Sequence, residues 1–89
     1  MLKSDTLKSY LSLGLVCEFL QVTGDDGQHF EAILVSDEFQ GLTPIRRHQK
    51  VYQILGDRMQ QEIHALSMKT FTPAEWVAYT QKNAIRQSL

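Results

Sequence analysis

The sequence predicts an α+β fold in which helices pack on one face of a three-stranded mixed sheet. Three observations support this expectation. The chain opens with an apolar stripe at helical spacing, residues 17 to 36 alternate on either side of the turn "GDDGQ", and "TPAE" at Thr72–Glu75 has the form of a helix capping box. The predicted order is α-β-β-α-α-β-α, within one domain that covers residues 1 to 89.

The first half of the chain contains one helix and a β-hairpin. The helix begins at Ser4, whose side chain can cap it, and ends at Gly14; its apolar stripe contains Leu7, Tyr10 and Leu11 and can extend to Leu15. "CEFLQVTG" is the first strand and "HFEAILVS" is the second. The glycines and aspartates of "GDDGQ" favour a tight turn, so the two strands are expected to pair as a hairpin.

The second half contains two helical segments, a strand and a last helix. Thr43 followed by Pro44 is a strong helix start, and this helix is predicted to run to about Leu55. Gly56 allows a break before a short helix that ends near Gln61. "IHALSMKT" is the third strand, and the capping box then opens the last helix.

Length and composition indicate one ordinary globular domain and exclude several classes of protein. The 89 residues are 43% hydrophobic and 21% charged, with a net charge of -1, so no global basic field attracts nucleic acid. No apolar run approaches the roughly 20 residues of a membrane span, and the charges in "MLKSDTLKSYLSLG" argue against a signal peptide. The one cysteine, Cys17, cannot form an internal disulfide. We therefore expect a cytoplasmic protein, in a reducing compartment.

The helix that begins at Pro44 is predicted to have an apolar face and a basic face. On a wheel of about 100° per residue, His48 lies in the middle of the apolar stripe and is interpreted as a core histidine. Arg46 and Lys50 lie near the opposite pole, with Arg47 on the flank. The basic face is either a solvated surface or a contact for a phosphate backbone or an acidic partner. The predicted apolar stripe also contains Ile45, Val51, Tyr52, Leu55 and Met59.

His29 and His64 are expected at one rim of the sheet. His29 begins the second strand and His64 begins the third. Strands joined by a helical crossover in one sheet are usually parallel, so both would start at the same edge. Each histidine taken singly is more often structural or simply exposed, but the pair at one rim indicates half of a metal site. Cys17 is interpreted as a small buried hydrophobe, so another molecule would have to supply the missing ligands.

No pattern in the sequence supports catalysis, and we predict that the chain is not an enzyme. It has no glycine-rich phosphate loop, no H-E-x-x-H and no nucleophile elbow. The acidic residues Asp25, Asp26, Asp37 and Glu38 are turn residues by their spacing rather than a paired-carboxylate site. Sensing of pH by the histidines, whose side chains titrate in the physiological range, is a further alternative.

Five motifs in order resemble the BolA family. They are "HF" before an apolar strand, "F-x-G" at Phe39–Gly41, "RH-x-x-VY" at Arg47–Tyr52, "HALS" at His64–Ser67 and "TPAEW" at Thr72–Trp76. The resemblance covers residues 29 to 76, and the short turn and compact ends are more similar to the IbaG-like branch of the family. It implies a class II KH-like fold, which agrees with the predicted order of elements.

The resemblance also implies a non-enzymatic partner of monothiol glutaredoxins of the CGFS type. In such pairs a 2Fe–2S cluster, present only in the complex, is held by a glutaredoxin cysteine, a glutathione thiol and ligands from the BolA-like chain. The family's C-terminal histidine ligand falls on His64, and His29 is the candidate for the second ligand. The implied role is cluster trafficking and the response to iron, redox or acid stress, and we expect the free chain to be a monomer or a weak dimer.

A second role implied by the resemblance is DNA-binding transcriptional regulation. On this sequence it would fall to Arg46, Arg47 and Lys50. The G-x-x-G loop of typical KH domains is not evident, which argues against sequence-specific clamping of RNA. Between residues 43 and 58 four basic residues stand against one acidic residue, and this net charge of +3 is modest for tight duplex binding by a monomer.

Overall fold

The computed structural model describes residues 2–24, 26, 28–58, 63 and 65–88. The predicted α+β fold is confirmed, while the expected short helix ending near Gln61 lies outside the described residues. The elements are α1 (Ser4–Gly14), β1 (Phe19–Thr23), β2 (His29–Val35), a 3-10 turn (Asp37–Phe39), α2 (Pro44–Leu55), β3 (Ala65–Phe71) and α3 (Pro73–Ser88).

The three strands form one mixed sheet in the order β1-β2-β3. β1 and β2 are antiparallel, with Phe19 opposite Val35, so the predicted hairpin is confirmed. β2 and β3 are parallel, with His29 opposite Ala65 and Val35 opposite Phe71. The predicted parallel return is therefore also confirmed, and β2 and β3 begin at the same edge. We call this edge, marked by His29 and Ala65, the rim.

The hydrophobic core fills the space between one face of the sheet and helices α1 and α2. Alternate residues of β2 point into it, as the period of two in a strand requires. Leu7 and Leu11 are fully buried, as the predicted stripe of α1 required. The buried core cluster consists of Leu7, Leu11, Leu15, Phe30, Ala32, Leu34, Phe39, Val51, Leu55 and Ile63.

The buried face of α2 is rotated relative to the predicted one. The residues it buries are Arg47, Val51 and Leu55, at a spacing of four. Ile45, placed in the stripe by the sequence, is 71% exposed and Tyr52 is 41% exposed. His48, expected in the middle of the core face, is only half-buried. The prediction failed because the wheel treated every arginine as solvated, whereas Arg47 packs its stem inside and pairs its head group there.

Helix α3 does not share a face of the sheet with α1 and α2. Trp76 of α3 stacks on Phe19 with 5.1 Å between ring centroids and lies 5.2 Å from Phe71. Phe19 and Phe71 flank Val35 across the sheet, on the face opposite the core. The expectation that all helices cover one face is therefore wrong: α3 covers the outer face at the end away from the rim. Among the described helices, none has the length and apolarity to cross a membrane.

Candidate functional site

His29 stands exposed at the rim, and its ring is held by Asp26. Nδ1 of the imidazole lies 2.9 Å from Oδ2 of the carboxylate, and the His29 side chain is 71% exposed. Because a carboxylate only accepts hydrogen bonds, Nδ1 is the nitrogen that donates. In the neutral ring this leaves Nε2 with a free lone pair, which is the form of imidazole that binds a metal.

Asp26 also closes the turn that precedes β2. Its Oδ1 accepts hydrogen bonds from the backbone N–H groups of His29 and Gln28, each at 2.9 Å. The backbone N–H of His29, followed by the His29 ring and the Gln28 amide, holds the pKa of the Asp26 carboxyl far below its usual range. Asp26 is a turn residue, as predicted. The contact of Asp26 with the His29 ring was not predicted, although an aspartate three residues before a histidine at the start of a strand can indicate such a contact.

His64, the first predicted ligand, lies outside the described residues. The residue that follows it is well placed: the N–H of Ala65 donates to the Gln28 carbonyl at 3.0 Å, and Ala65 lies opposite His29. The expectation that β2 and β3 begin side by side is thus confirmed. The pairing of the two imidazoles stays a prediction.

Metal binding at His29 would require further ligands from elsewhere. Within the described ranges, no three His, Cys, Asp or Glu side chains are grouped closely enough to hold a metal ion. Cys17 precedes β1 at the end of the sheet away from the rim, and burial, with a smaller effect of Glu38, raises the pKa of its thiol. It is therefore a poor thiolate ligand at neutral pH. The lone pair on His29 Nε2 suits one iron of a 2Fe–2S cluster, which accepts imidazole in place of thiolate.

Arg47, predicted on the flank of a basic surface, is buried and only 8% exposed. Its Nε donates to the Leu42 carbonyl at 2.9 Å, and its Nη1 donates to the Thr70 carbonyl at 3.4 Å and to Glu75 at 2.7 Å. The predicted exposure of Arg47 is wrong. Its guanidinium joins α2 to the start of α3 and does not contribute to an outer nucleic-acid-binding face.

Glu75 takes part in both this ion pair and the cap of α3. Its carboxylate accepts from the Thr72 N–H at 2.8 Å, and its own N–H donates to the Thr72 hydroxyl at 3.2 Å. The predicted capping box is confirmed. The guanidinium of Arg47, with the backbone N–H of Thr72, lowers the pKa of Glu75 to about 2.

We expect the Glu75 contacts to make the fold sensitive to acid. Because the folded pKa of about 2 is below the ordinary 4.5, the contribution of Glu75 is complete above pH 4.5 and is lost as the pH falls through about 2. The free energy of unfolding, measured in urea between pH 6 and pH 2, should fall less steeply in Glu75→Gln than in the wild type. Glu31→Gln, which changes an exposed glutamate of β2, should keep the wild-type slope. Equal slopes in the wild type and Glu75→Gln would contradict this assignment.

The rest of the predicted basic face is small. Arg46 is exposed, whereas Nζ of Lys50 lies 3.6 Å from a carboxylate oxygen of Glu38. That same carboxylate accepts the Val16 N–H at 2.8 Å through its other oxygen, so it is fixed in place. Arg46 and a partly neutralised Lys50 are what remains of the predicted phosphate-binding surface.

The fold and the rim together define a small α+β domain with an exposed histidine at the edge where β2 and β3 begin. The family model described as BolA-like protein matches residues 16–75. The chain belongs to the BolA family, as its sequence motifs predicted.

The similar proteins include an acid stress protein and a transcriptional regulator. The chain is 36% identical over 76 residues to the acid stress protein IbaG of Escherichia coli (strain K12), an alignment that covers 84% of this chain and 89% of that protein. It is 40% identical over 53 residues to the DNA-binding transcriptional regulator BolA of Haemophilus influenzae. That alignment covers 60% of this chain and 52% of the relative, so the match extends over about half of the relative's length.

A solved structure supports the fold directly. The structure of a bolA protein homologue from Coxiella burnetii superposes with a TM-score of 0.77 at 42% sequence identity, covering 85% of this chain and 97% of that one. The prediction of a BolA-family fold, with IbaG among the similar proteins, is therefore confirmed.

Proposed function

We propose that this chain is a non-enzymatic partner protein that shares a 2Fe–2S cluster with a monothiol glutaredoxin of the CGFS type and glutathione. In this role it takes part in iron–sulfur cluster trafficking and in the response to iron, redox or acid stress. One observation carries the proposal: His29 is exposed on the rim with its Nδ1 held by Asp26, on a strand whose neighbour β3 begins directly after His64.

The number of ligands supports a shared site. A 2Fe–2S cluster takes four ligands, and histidines can replace two of them on one iron. This chain can offer His29 and His64, while Cys17 lies at the other end of the sheet. A glutaredoxin cysteine and a glutathione thiol complete the set.

The exposed position of His29 on the rim suits transfer of a cluster between proteins rather than its storage in this chain. The described part of the rim leaves His29 largely exposed, so a second protein can approach its Nε2 directly. The parallel pairing of β2 with β3 and the hydrogen bonds of Asp26 fix the backbone on which His29 stands. A ligand on a rigid strand can be presented with little ordering of the chain on binding.

The proposal is tested by reconstituting the mixed complex. The chain is mixed anaerobically with a CGFS glutaredoxin, glutathione, ferrous iron and sulfide, and visible absorption and circular dichroism are recorded on the complex separated by size. We expect a cluster spectrum distinct from that of the glutaredoxin homodimer, lost in His64→Ala and weakened or altered in His29→Ala. His48→Ala, which removes the half-buried histidine of α2, is the matched control and should keep the wild-type spectrum. A spectrum unaffected by the loss of both His29 and His64 would refute the proposal.

DNA-binding transcriptional regulation is the second candidate function, and it is favoured by the name of the Haemophilus influenzae relative. With Arg47 buried, it would depend on Arg46 and Lys50. A glutaredoxin spectrum unchanged by this chain, with no co-elution, together with salt-dependent DNA retention that Arg46→Glu removes, would favour this function over cluster sharing.

A further inference from the structure

We propose that Asp26 is a positioning residue for the His29 ligand: its carboxylate holds the ring in the Nδ1–H tautomer and so keeps Nε2 free to bind iron. This inference rests on the proposed function, because it assigns the atom of His29 that meets the cluster. From the sequence, Asp26 is predicted only as a turn residue.

The two oxygens of Asp26 have separate tasks. Oδ1 accepts two backbone N–H groups, those of Gln28 and His29, and these bonds fix the plane of the carboxylate. Oδ2 is thereby directed at Nδ1 of the His29 ring, at 2.9 Å. A carboxylate without a proton has no hydrogen to donate, so the proton in this contact belongs to Nδ1.

The tautomer matters because neutral histidine in water favours the opposite form, in which Nε2 carries the proton. In that form the outward nitrogen has no lone pair for a metal. A carboxylate that accepts a hydrogen bond from Nδ1 reverses this preference and fixes the orientation of the ring. Carboxylates have this role for many metal-bound histidines. In the free chain, Asp26 already supplies this carboxylate.

Replacing the carboxylate by an amide gives a sharp test. In Asp26→Asn the side-chain oxygen can still accept the Gln28 and His29 amides, so the turn is preserved. The other position then carries an NH₂ group, which donates and therefore favours a bare Nδ1. The substitution should move the proton of His29 from Nδ1 to Nε2 while leaving the turn intact.

The first measurement uses the free chain and needs no cluster. Long-range ¹H–¹⁵N correlation spectra at pH 8 identify which ring nitrogen of His29 is protonated. We expect Nδ1–H in the wild type and a shift towards Nε2–H in Asp26→Asn, with the amide resonances and exchange protection of Gln28 and His29 retained. Asp57→Asn, which changes another exposed aspartate, should keep the wild-type tautomer. A wild-type His29 protonated at Nε2, or a tautomer that Asp26→Asn leaves unchanged, would overturn the inference.

The second measurement follows loss of the cluster from the mixed glutaredoxin complex after dilution into chelator. Removal of a group that orients a metal ligand typically weakens metal binding by 10- to 100-fold, so we expect cluster loss at least about 10-fold faster in Asp26→Asn. In a His29→Ala background the same change should have no further effect. A switched tautomer with an unchanged rate of loss would also overturn the inference. Failure of the wild-type chain to form any mixed complex would instead refute the proposed function, and the tautomer of the free chain separates the two failures.

Discussion

Arg47→Ala is expected to destabilise the fold by about 3 kcal/mol, as the removal of a buried, hydrogen-bonded cation does. The variant leaves the carbonyls of Leu42 and Thr70 without the donors that satisfy them and removes the stem that packs beside Phe39, whose ring lies 5.8 Å from the guanidinium carbon. Glu75 loses less, because its side chain is 48% exposed and water can solvate it. Urea unfolding followed by circular dichroism measures the difference.

The matched control for Arg47 is its neighbour Arg46. Both are arginines on α2, but Arg46 is exposed, so Arg46→Ala should change the free energy of unfolding by no more than about 0.5 kcal/mol. Arg47→Lys should recover only part of the loss, because an ammonium cannot reproduce the planar fork that donates to four oxygens, on Leu42, Thr70 and Glu75. A stability of Arg47→Ala within error of Arg46→Ala would contradict the structural role of this residue.

The order of elements could be predicted from the sequence because its signals are local. A cap such as Thr43 before Pro44 acts within one turn of helix, and its hydroxyl indeed accepts the Arg46 N–H. The "GDDGQ" turn and the alternation on either side set the hairpin in the same way. The position of the rim could be predicted from one further rule, that strands joined by a helical crossover pair in parallel. The structure accordingly has His29 opposite Ala65.

The failures at α2 and α3 involve partners distant in sequence. The rotation of α2 depends on the contact of Arg47 with Glu75, 28 residues further on, and periodicity within one helix contains no information about it. The position of α3 depends in the same way on the contact of Trp76 with Phe19. The Asp26–His29 contact is different, because the two residues are only three apart. A turn-forming aspartate at this spacing before a histidine predicts that its carboxylate can contact the imidazole ring.

Gly24→Ala is expected to cost about 3 kcal/mol and to disturb the rim as well, because two effects act at this position. Gly24 has a φ of +154°, which L-residues rarely adopt. An added Cβ would also lie 2.5 Å from the carbonyl oxygen of His29 and 2.8 Å from the ring of Phe30. Neither neighbour can yield easily, since one is strand backbone and the other is a core side chain only 1% exposed.

Gly41→Ala separates these two effects. Gly41 also has a positive φ, of +76°, but an added Cβ would have nothing within 4 Å. It should therefore lose only the backbone contribution, about 1–2 kcal/mol. The excess loss in Gly24→Ala, measured by urea unfolding of both variants, reports the contact with His29 and Phe30. Equal losses in the two variants would show that the contact is relieved without consequence.

Gly24→Ala also tests whether the rim depends on the core. A Cβ added at this position would meet the backbone of a proposed ligand on one side and the side chain of Phe30 on the other, so relief of the clash should move both. We expect Gly24→Ala to lower both the stability and the yield of the mixed cluster complex, whereas His29→Ala should lower the yield alone, because its side chain is exposed and contributes little to packing. Normal cluster yield in a destabilised Gly24→Ala would mean that the ligand position does not depend on how β2 is seated. A loss of both stability and cluster yield would mean that packing of the first residues of β2 against the core holds the ligand in position.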